Sequence, residues 1–194
     1  MNTLIKKKFY FVRHGKTDWN KQNLCQGQID IPLNQSGIEE IEQLSSLLIT
    51  LPFSKIFTSP LLRALQSAQI IQKYCSLPIE VIDALKERGW GSMEGSTSAD
   101  MYQIEELEEK DASYVSHFGI EPRLAFKQRV LYGINSALNQ ETPLIVSHGR
   151  VFLILLEILN LPFIRQISNA TIIECNPFDD KWQITFHSTK KIEK

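Results

Sequence analysis

Lys8-Phe9-Tyr10-Phe11-Val12-Arg13-His14-Gly15 is the stretch on which the fold turns. Its apolar, β-prone run breaks abruptly into charged and glycine residues, the pattern of a short buried strand feeding a polar loop. Pro143-Leu144-Ile145-Val146-Ser147-His148-Gly149 repeats the pattern far along the chain. Two buried strands that each end in His-Gly place two imidazoles at one edge of a sheet, the edge where open α/β sheets bind ligands.

Outward from the first strand, the loop runs to about Gln35. Ser36 and Glu39 read as an S-x-x-E capping box, and Ile38, Ile41, Leu44, Leu47 and Leu51 then recur at helical spacing up to Pro52. Lys55 to Thr58 is a second strand. Ser59-Pro60 follows as N-cap and first position of a helix whose apolar face carries Leu61, Leu65, Ala68 and Ile71. Ile79 to Ile82 is a third strand, Pro122 opens a helix to about Asn139, and Arg150 to Asn160 is a strongly apolar helix. Thr171 to Cys175 and Trp182 to Phe186 form a terminal antiparallel pair around a turn at Asn176 to Asp180. This alternation predicts a three-layer α/β/α sandwich with a mostly parallel sheet. Residues 1–194 are expected to make one domain, interrupted at about 96–119 by an acidic helical insertion with a solvated face.

Composition narrows the function. The 194 residues are 43% hydrophobic and 22% charged, the balance of a globular chain. Such a length buries roughly 70% of its unfolded surface without disulfides or a structural metal. With 21 Lys and Arg against 22 Asp and Glu, the net charge of -1 excludes the broad basic surface of a nucleic-acid binder. Cys25, Cys75 and Cys175 are odd in number and lack metal-ligand spacing, which fits a reducing cytoplasm. The N-terminal apolar run is too short for a signal peptide. Val151 to Leu156 falls far short of the ~20 residues of a membrane span. A cytoplasmic protein without membrane contact is expected.

The chemistry gathers at the strand ends. Arg13 precedes His14, and Arg63 falls in the first turn of its helix, where a cation is unfavourable unless an anion joins it. Two guanidiniums, two imidazoles and helix-opening N–H groups suit a tetrahedral dianion. Expelling an alkoxide from a phosphate ester also needs a proton donor, for which Glu87 is the candidate. His117 and His187 read as solvated side chains.

Arg13-His14-Gly15-Lys16-Thr17-Asp18-Trp19-Asn20 resembles the R-H-G-x-T-x-W-N signature of the histidine phosphatase superfamily, the phosphoglycerate mutase-like fold. The resemblance continues through Gln26-Gly27, Asp30-Ile31-Pro32-Leu33, Thr58-Ser59-Pro60-Leu61, Arg63-Ala64, Glu87, Met93-Glu94-Gly95 and Val146-Ser147-His148-Gly149. It implies that His14 is a nucleophile phosphorylated during turnover. Arg13, Asn20, Arg63 and His148 would hold the phosphoryl group, and Glu87 would be the proton donor. Thr17, Gln26, Gly27 and Gly149 would line the remaining pocket. No metal and no cofactor are implied, and the partner is a small phosphate ester. Lys16 stands where the family more often has Glu or Gln and reads as a solvated loop lysine, while Arg88 and Arg150 flank catalytic positions and are candidates to read substrate charge.

Other classes fit less well. Gly15-Lys16-Thr17 imitates the end of a Walker A loop, but the glycine required at position 10 is Tyr10. The nearest rival is a cofactor-dependent phosphoglycerate mutase, which resembles longer chains with a basic insertion carrying an arginine pair; here the insertion is acidic. A catalytically silent phospho-ligand binder has no need of a nucleophile together with an acid. Substrate and oligomeric state are not readable from the sequence.

Overall fold

β1 (Phe9–Arg13) lies inside a six-stranded sheet in a computed structural model that describes residues 3–111, 118–139 and 142–187. It pairs in parallel with β4 (Pro143–Ser147), Phe11 opposite Ile145 and Arg13 opposite Ser147. On its other side it pairs antiparallel with β5 (Ile172–Phe178). β2 (Lys55–Thr58) joins β4 in parallel, β3 (Ile79–Val81) joins β2 in parallel, and β6 (Lys181–His187) closes the far edge against β5. The order β3-β2-β4-β1-β5-β6 makes the sheet mostly parallel, as predicted.

Apolar residues cover both faces. Tyr10, Val12, Ile56, Leu144 and Val146 pack against α2 (Gln35–Leu48) and α3 (Leu62–Cys75). Phe9, Phe11, Phe57 and Ile145 pack against α5 (Arg123–Leu138) and α6 (Gly149–Ile158). Alternating strand residues therefore supply two separate cores, because successive side chains point to opposite faces. The apolar run of α6 belongs to the second core: Val151, Phe152 and Leu155 are fully buried, each contributing roughly 1.5–3 kcal/mol of burial.

Four local expectations need correction. The loop after β1 contains a single helical turn, α1 (Asp18–Lys21). The cap of α2 is Asn34, whose side chain accepts the Gly37 amide, while the Ser36 hydroxyl bonds back to Asn34. α3 starts after Leu61, and the Ser59 hydroxyl is drawn to the site below. β5 runs straight through Asn176-Pro177, so the hairpin turns at Asp179-Asp180, with Asp179 at a φ of 50°. Pro177 fits because β1 pairs only up to Cys175, so the missing N–H costs no bond on that side.

Of the acidic stretch expected at about 96–119, Ser98–Lys110 forms α4 and residues 112–117 lie outside the described residues; the acids of α4 are not uniformly solvated. Glu106 faces the exposed Arg165, whereas Glu105 and Glu108 turn inward onto Arg150 and Arg88. Met101 and Ile104 pack with the buried Trp90 in a third apolar cluster.

Candidate active site

Because β1 and β4 run in parallel with Arg13 opposite Ser147, the next residue of each strand emerges at the same sheet edge. Those residues are His14 and His148, 2% and 0% exposed, with ring centroids 5.2 Å apart and planes inclined at 62°. The His14 amide donates to the Ser147 carbonyl at 3.0 Å, locking the two strand ends together. His14 Nδ1 lies 2.7 Å from the Gly15 carbonyl. A carbonyl only accepts, so Nδ1 carries the proton and Nε2 keeps its lone pair.

Ser59, at the end of β2, completes the edge: its Oγ is hydrogen-bonded at 2.8 Å to His148 Nε2 and accepts the Leu61 amide. The turn after His14 is pressed against α2. A Cβ at Gly37 would stand 2.1 Å from the Lys16 carbonyl, so only glycine lets helix and loop approach this closely.

Two guanidiniums, the buried Arg63 and the half-buried Arg13, flank the imidazoles. Arg13 donates through Nη1 to the Ile167 carbonyl, and its Nε has no partner among the described residues. Arg63 donates to the carbonyls of Ile29 (2.8 Å) and Gly27 (2.7 Å), and its Nε is likewise unpartnered. The helix N-terminus beside Arg63 already has an anion in part: Asp30 Oδ1 accepts the Leu62 amide at 2.5 Å. Burial lowers the pKa of Arg63 to about 10, opposed by Glu87 and Asp30, and it stays a cation at neutral pH. Burial, then Arg63 and Arg13, hold His14 well below the ordinary imidazole value. Burial, Arg63, His14, Arg13 and Arg129 do the same to His148, whose Nδ1 is also unpartnered. Both imidazoles are therefore neutral at pH 7.

A cleft of about 350 Å³ opens at this edge. Of the predicted site residues, Arg13, Asn20, Gln26, Gly27, Glu87 and Gly149 line it, while His14, Arg63 and His148 are nearly wholly buried and do not contribute to its walls. Thr17 is also absent from the walls. It caps α1, and its amide and hydroxyl fix Asn20 Oδ1 at 3.1 and 3.2 Å. With that oxygen also accepting from Asn169, Asn20 is left with its amide N–H groups as free donors. Gly27 has a φ of 48°, and a Cβ there would overlap the Glu94 carboxylate, which itself accepts the Gln28 and Trp90 amides.

Glu87 reaches the cleft from the segment after β3. Its Oε2 accepts the Arg150 amide at the start of α6 (3.1 Å), and its Oε1 accepts the Arg88 amide (3.0 Å). Arg129 of α5 grips the carbonyls of Ala84, Lys86 and Glu87 while pairing with Glu121, and so holds this segment against the sheet.

Several participants escaped the sequence reading. Asn169 Nδ2 donates to the His14 carbonyl at 3.0 Å and to Asn20 Oδ1 at 3.3 Å. Ser59, which reads as a helix cap in the sequence, bonds His148 instead. Leu24, Trp90, Met101, Tyr102 and Leu153 give the cleft an apolar side. Cys25 also lines it, its thiol pushed up to about 12 by burial.

The three remaining cations differ. Lys16 pairs with Glu40 at the surface, as a loop lysine. Arg88 does not face the cleft: it is buried, bonded to both Glu108 oxygens and stacked on Trp90. Arg150 does line the cleft. His187 is not simply solvated, since its Nε2 lies 2.9 Å from Glu174 Oε2; His117 lies outside the described residues.

Neutral imidazoles and guanidiniums gather at the carboxyl edge of the mostly parallel sheet, an arrangement of the class found in α/β enzymes. The chain belongs to the histidine phosphatase superfamily, branch 1, whose family model matches residues 9–190. It is 34% identical over 183 residues to the Bacillus subtilis protein named uncharacterized phosphatase PhoE, covering 89% of this chain and 90% of that one. It is 31% identical over 161 residues to the probable phosphoglycerate mutase GpmB of Proteus mirabilis, covering 79% and 75%. Among solved structures, the mycobacterial glucosyl-3-phosphoglycerate phosphatase in complex with VO3 superposes with a TM-score of 0.80 at 23% identity, over 92% of this chain and 97% of that one. That likeness establishes the fold.

Proposed function

We propose that the protein hydrolyses phosphate monoesters through a phosphohistidine on His14, with Glu87 as proton donor and with no metal. The observation that carries this reading is the set of buried side-chain nitrogens without a partner among the described residues, Arg13 Nε, Arg63 Nε and His148 Nδ1, around a neutral imidazole whose Nδ1 is fixed. Buried polar groups without partners are costly, and an oxyanion answers the two guanidinium N–H groups.

The first step follows from that arrangement. The Nε2 lone pair of His14 attacks phosphorus, the bond from phosphorus to the ester oxygen breaks, and Glu87 supplies the proton that the leaving oxygen needs. The Gly15 carbonyl steadies the positive charge that develops on the ring. Arg13, Arg63 and His148 meet the equatorial oxygens, where charge spreads in a loose transition state. In the second step the Glu87 carboxylate takes a proton from water, the water oxygen attacks phosphorus, and the bond from phosphorus to nitrogen breaks. Asn20, Gln26, Gly27 and Gly149 contact the bound ester, and Thr17 acts by positioning Asn20.

The similarity to GpmB keeps a mutase as the second reading. A mutase must shield its phosphoenzyme from water and hold a substrate carboxylate. The inward acids of α4 favour the hydrolase.

Brief incubation with a phosphate ester labelled on phosphorus tests the reading. Acid-labile label on His14, absent from His14→Ala, is expected, together with release of inorganic phosphate, inhibition by vanadate and indifference to chelators. Turnover that survives His14→Ala, or an absolute need for a divalent ion, overturns it. Transfer of label to a second phosphoglycerate hydroxyl instead of to water establishes the mutase.

A further inference from the structure

Arg150 stands on the wall of the cleft, one residue after Gly149, and its backbone amide holds Glu87. A cation so placed ordinarily reads a second negative group on a substrate. Here it is already engaged. Its Nε lies 3.0 Å from Glu105 Oε1, its guanidinium carbon sits 5.0 Å over the Tyr102 ring, and Nη2 reaches Met101 Sδ at 3.7 Å. The two charged side chains are only 10% and 16% exposed, so little water screens the pair. One turn further along α4, Glu108 cancels Arg88 in the same way. Arg13 and Arg63 each keep an Nε without a partner among the described residues, whereas Arg150 is neutralised on a wall that it shares with Leu24, Met101, Tyr102 and Leu153 and with the polar Asn23, Ser98 and Gln166.

We infer that the Glu105–Arg150 pair sets the substrate class: monoesters of an uncharged alcohol with an apolar part, and not esters that carry a second carboxylate or phosphate. A second anion beside Arg150 would have to compete for it with the Glu105 carboxylate that already neutralises it, so electrostatics disfavour that anion while Leu24, Met101, Tyr102 and Leu153 accept a ring or alkyl chain. The inference rests on the hydrolase reading of the same site and deepens it.

The test compares kcat/KM for phenyl phosphate and 3-phosphoglycerate in the wild type, Glu105→Gln and the double variant Glu105→Gln with Arg150→Gln. The wild type should favour phenyl phosphate by at least about tenfold. Glu105→Gln keeps the shape but frees the guanidinium, and should raise kcat/KM for 3-phosphoglycerate about tenfold, mainly through KM, with phenyl phosphate within about twofold. The double variant should lose that gain. An unchanged ratio in Glu105→Gln, or a wild type that prefers 3-phosphoglycerate, overturns the inference. Should Glu105→Gln fail to fold, competitive inhibition of the wild type reads the same preference. Phenylphosphonate should inhibit at least about tenfold more tightly than 3-phosphonopropionate, and equal inhibition overturns the inference. A wild type that turns over neither ester overturns the hydrolase reading itself and this inference with it, an outcome separate from any change in ratio.

Discussion

His14 and His148 stand edge to face, 5.2 Å between ring centroids, both buried and both beside Arg13 and Arg63. Protonating either ring adds a third charge to a space that already holds two guanidiniums. The pair is therefore kept neutral, which suits the ring with a fixed Nδ1 proton for the proposed nucleophilic attack.

That depression fixes a pH dependence. Above 6.5 neither folded nor unfolded protein protonates these rings; below it the unfolded chain takes up protons that the folded chain refuses. Stability should fall as pH drops from 6.5 toward the lowered folded values. Thermal melting between pH 7 and 5 should show this loss, and His148→Gln should flatten it. Melting curves of wild type and variant with the same slope would remove His148 from this account.

Glu87→Gln separates proton donation from binding. Esters with poor alcohol leaving groups should slow by about 10²–10⁴, and nitrophenyl phosphate, whose leaving group needs no proton, by less than about tenfold. One of the two backbone donors on Glu87 also loses its acceptor, at a cost of about 1 kcal/mol in stability. Steady-state rates on both esters decide the matter, and equal losses would exclude Glu87 as the acid.

Gly27→Ala should damage both stability and binding. A side chain at a φ of 48° costs about 1–2 kcal/mol, and the new Cβ also evicts the Glu94 carboxylate from the Gln28 and Trp90 amides. A fall in melting temperature of about 2–4 °C per kcal/mol is expected, with a rise in KM. A variant that melts and binds as the wild type does contradicts this description of the loop.

Asn169→Ala tests a positioning role. Its side chain joins the segment before β5 to the His14 carbonyl and to Asn20. Loss of the amide should cost about 1 kcal/mol in stability and lower kcat/KM about tenfold by loosening Asn20. An unaltered kcat/KM, measured beside a melting curve, would leave Asn169 a purely structural residue.

What the sequence discloses depends on the range of the interaction. Val12-Arg13-His14-Gly15 and Val146-Ser147-His148-Gly149 are readable because an apolar run and its polar stop are local, and β1 and β4 lie where those stops predict. Asn34 and Ser36 are both good capping residues two positions apart, so composition alone does not choose between them. The direction of Glu105 and Glu108 is harder still, because acids on a short helix look solvated until Arg150 and Arg88 arrive from distant segments. Asn169 sits in a polar turn without periodicity, and its contacts cross most of the chain. The site residues named by motif are brought to one sheet edge, where Arg13, Asn20, Gln26, Gly27, Glu87 and Gly149 form the cleft wall, His14, Arg63 and His148 lie buried beside it, and Thr17 supports it by capping α1.

The inner position of β1 also governs how the protein comes into being. The strand is made early, yet its two neighbours, β4 and β5, belong to the C-terminal part of the chain. Until Pro143 and the residues after it have left the ribosome, Phe9-Tyr10-Phe11-Val12 has no sheet to enter, and distant parallel pairing must first meet the entropy of closing a long loop. Until then that apolar segment lacks the partners that bury it in the folded protein. His14, the proposed nucleophile at its end, acquires its surroundings only when β4 and β5 are in place, so a chain without them lacks the paired imidazoles.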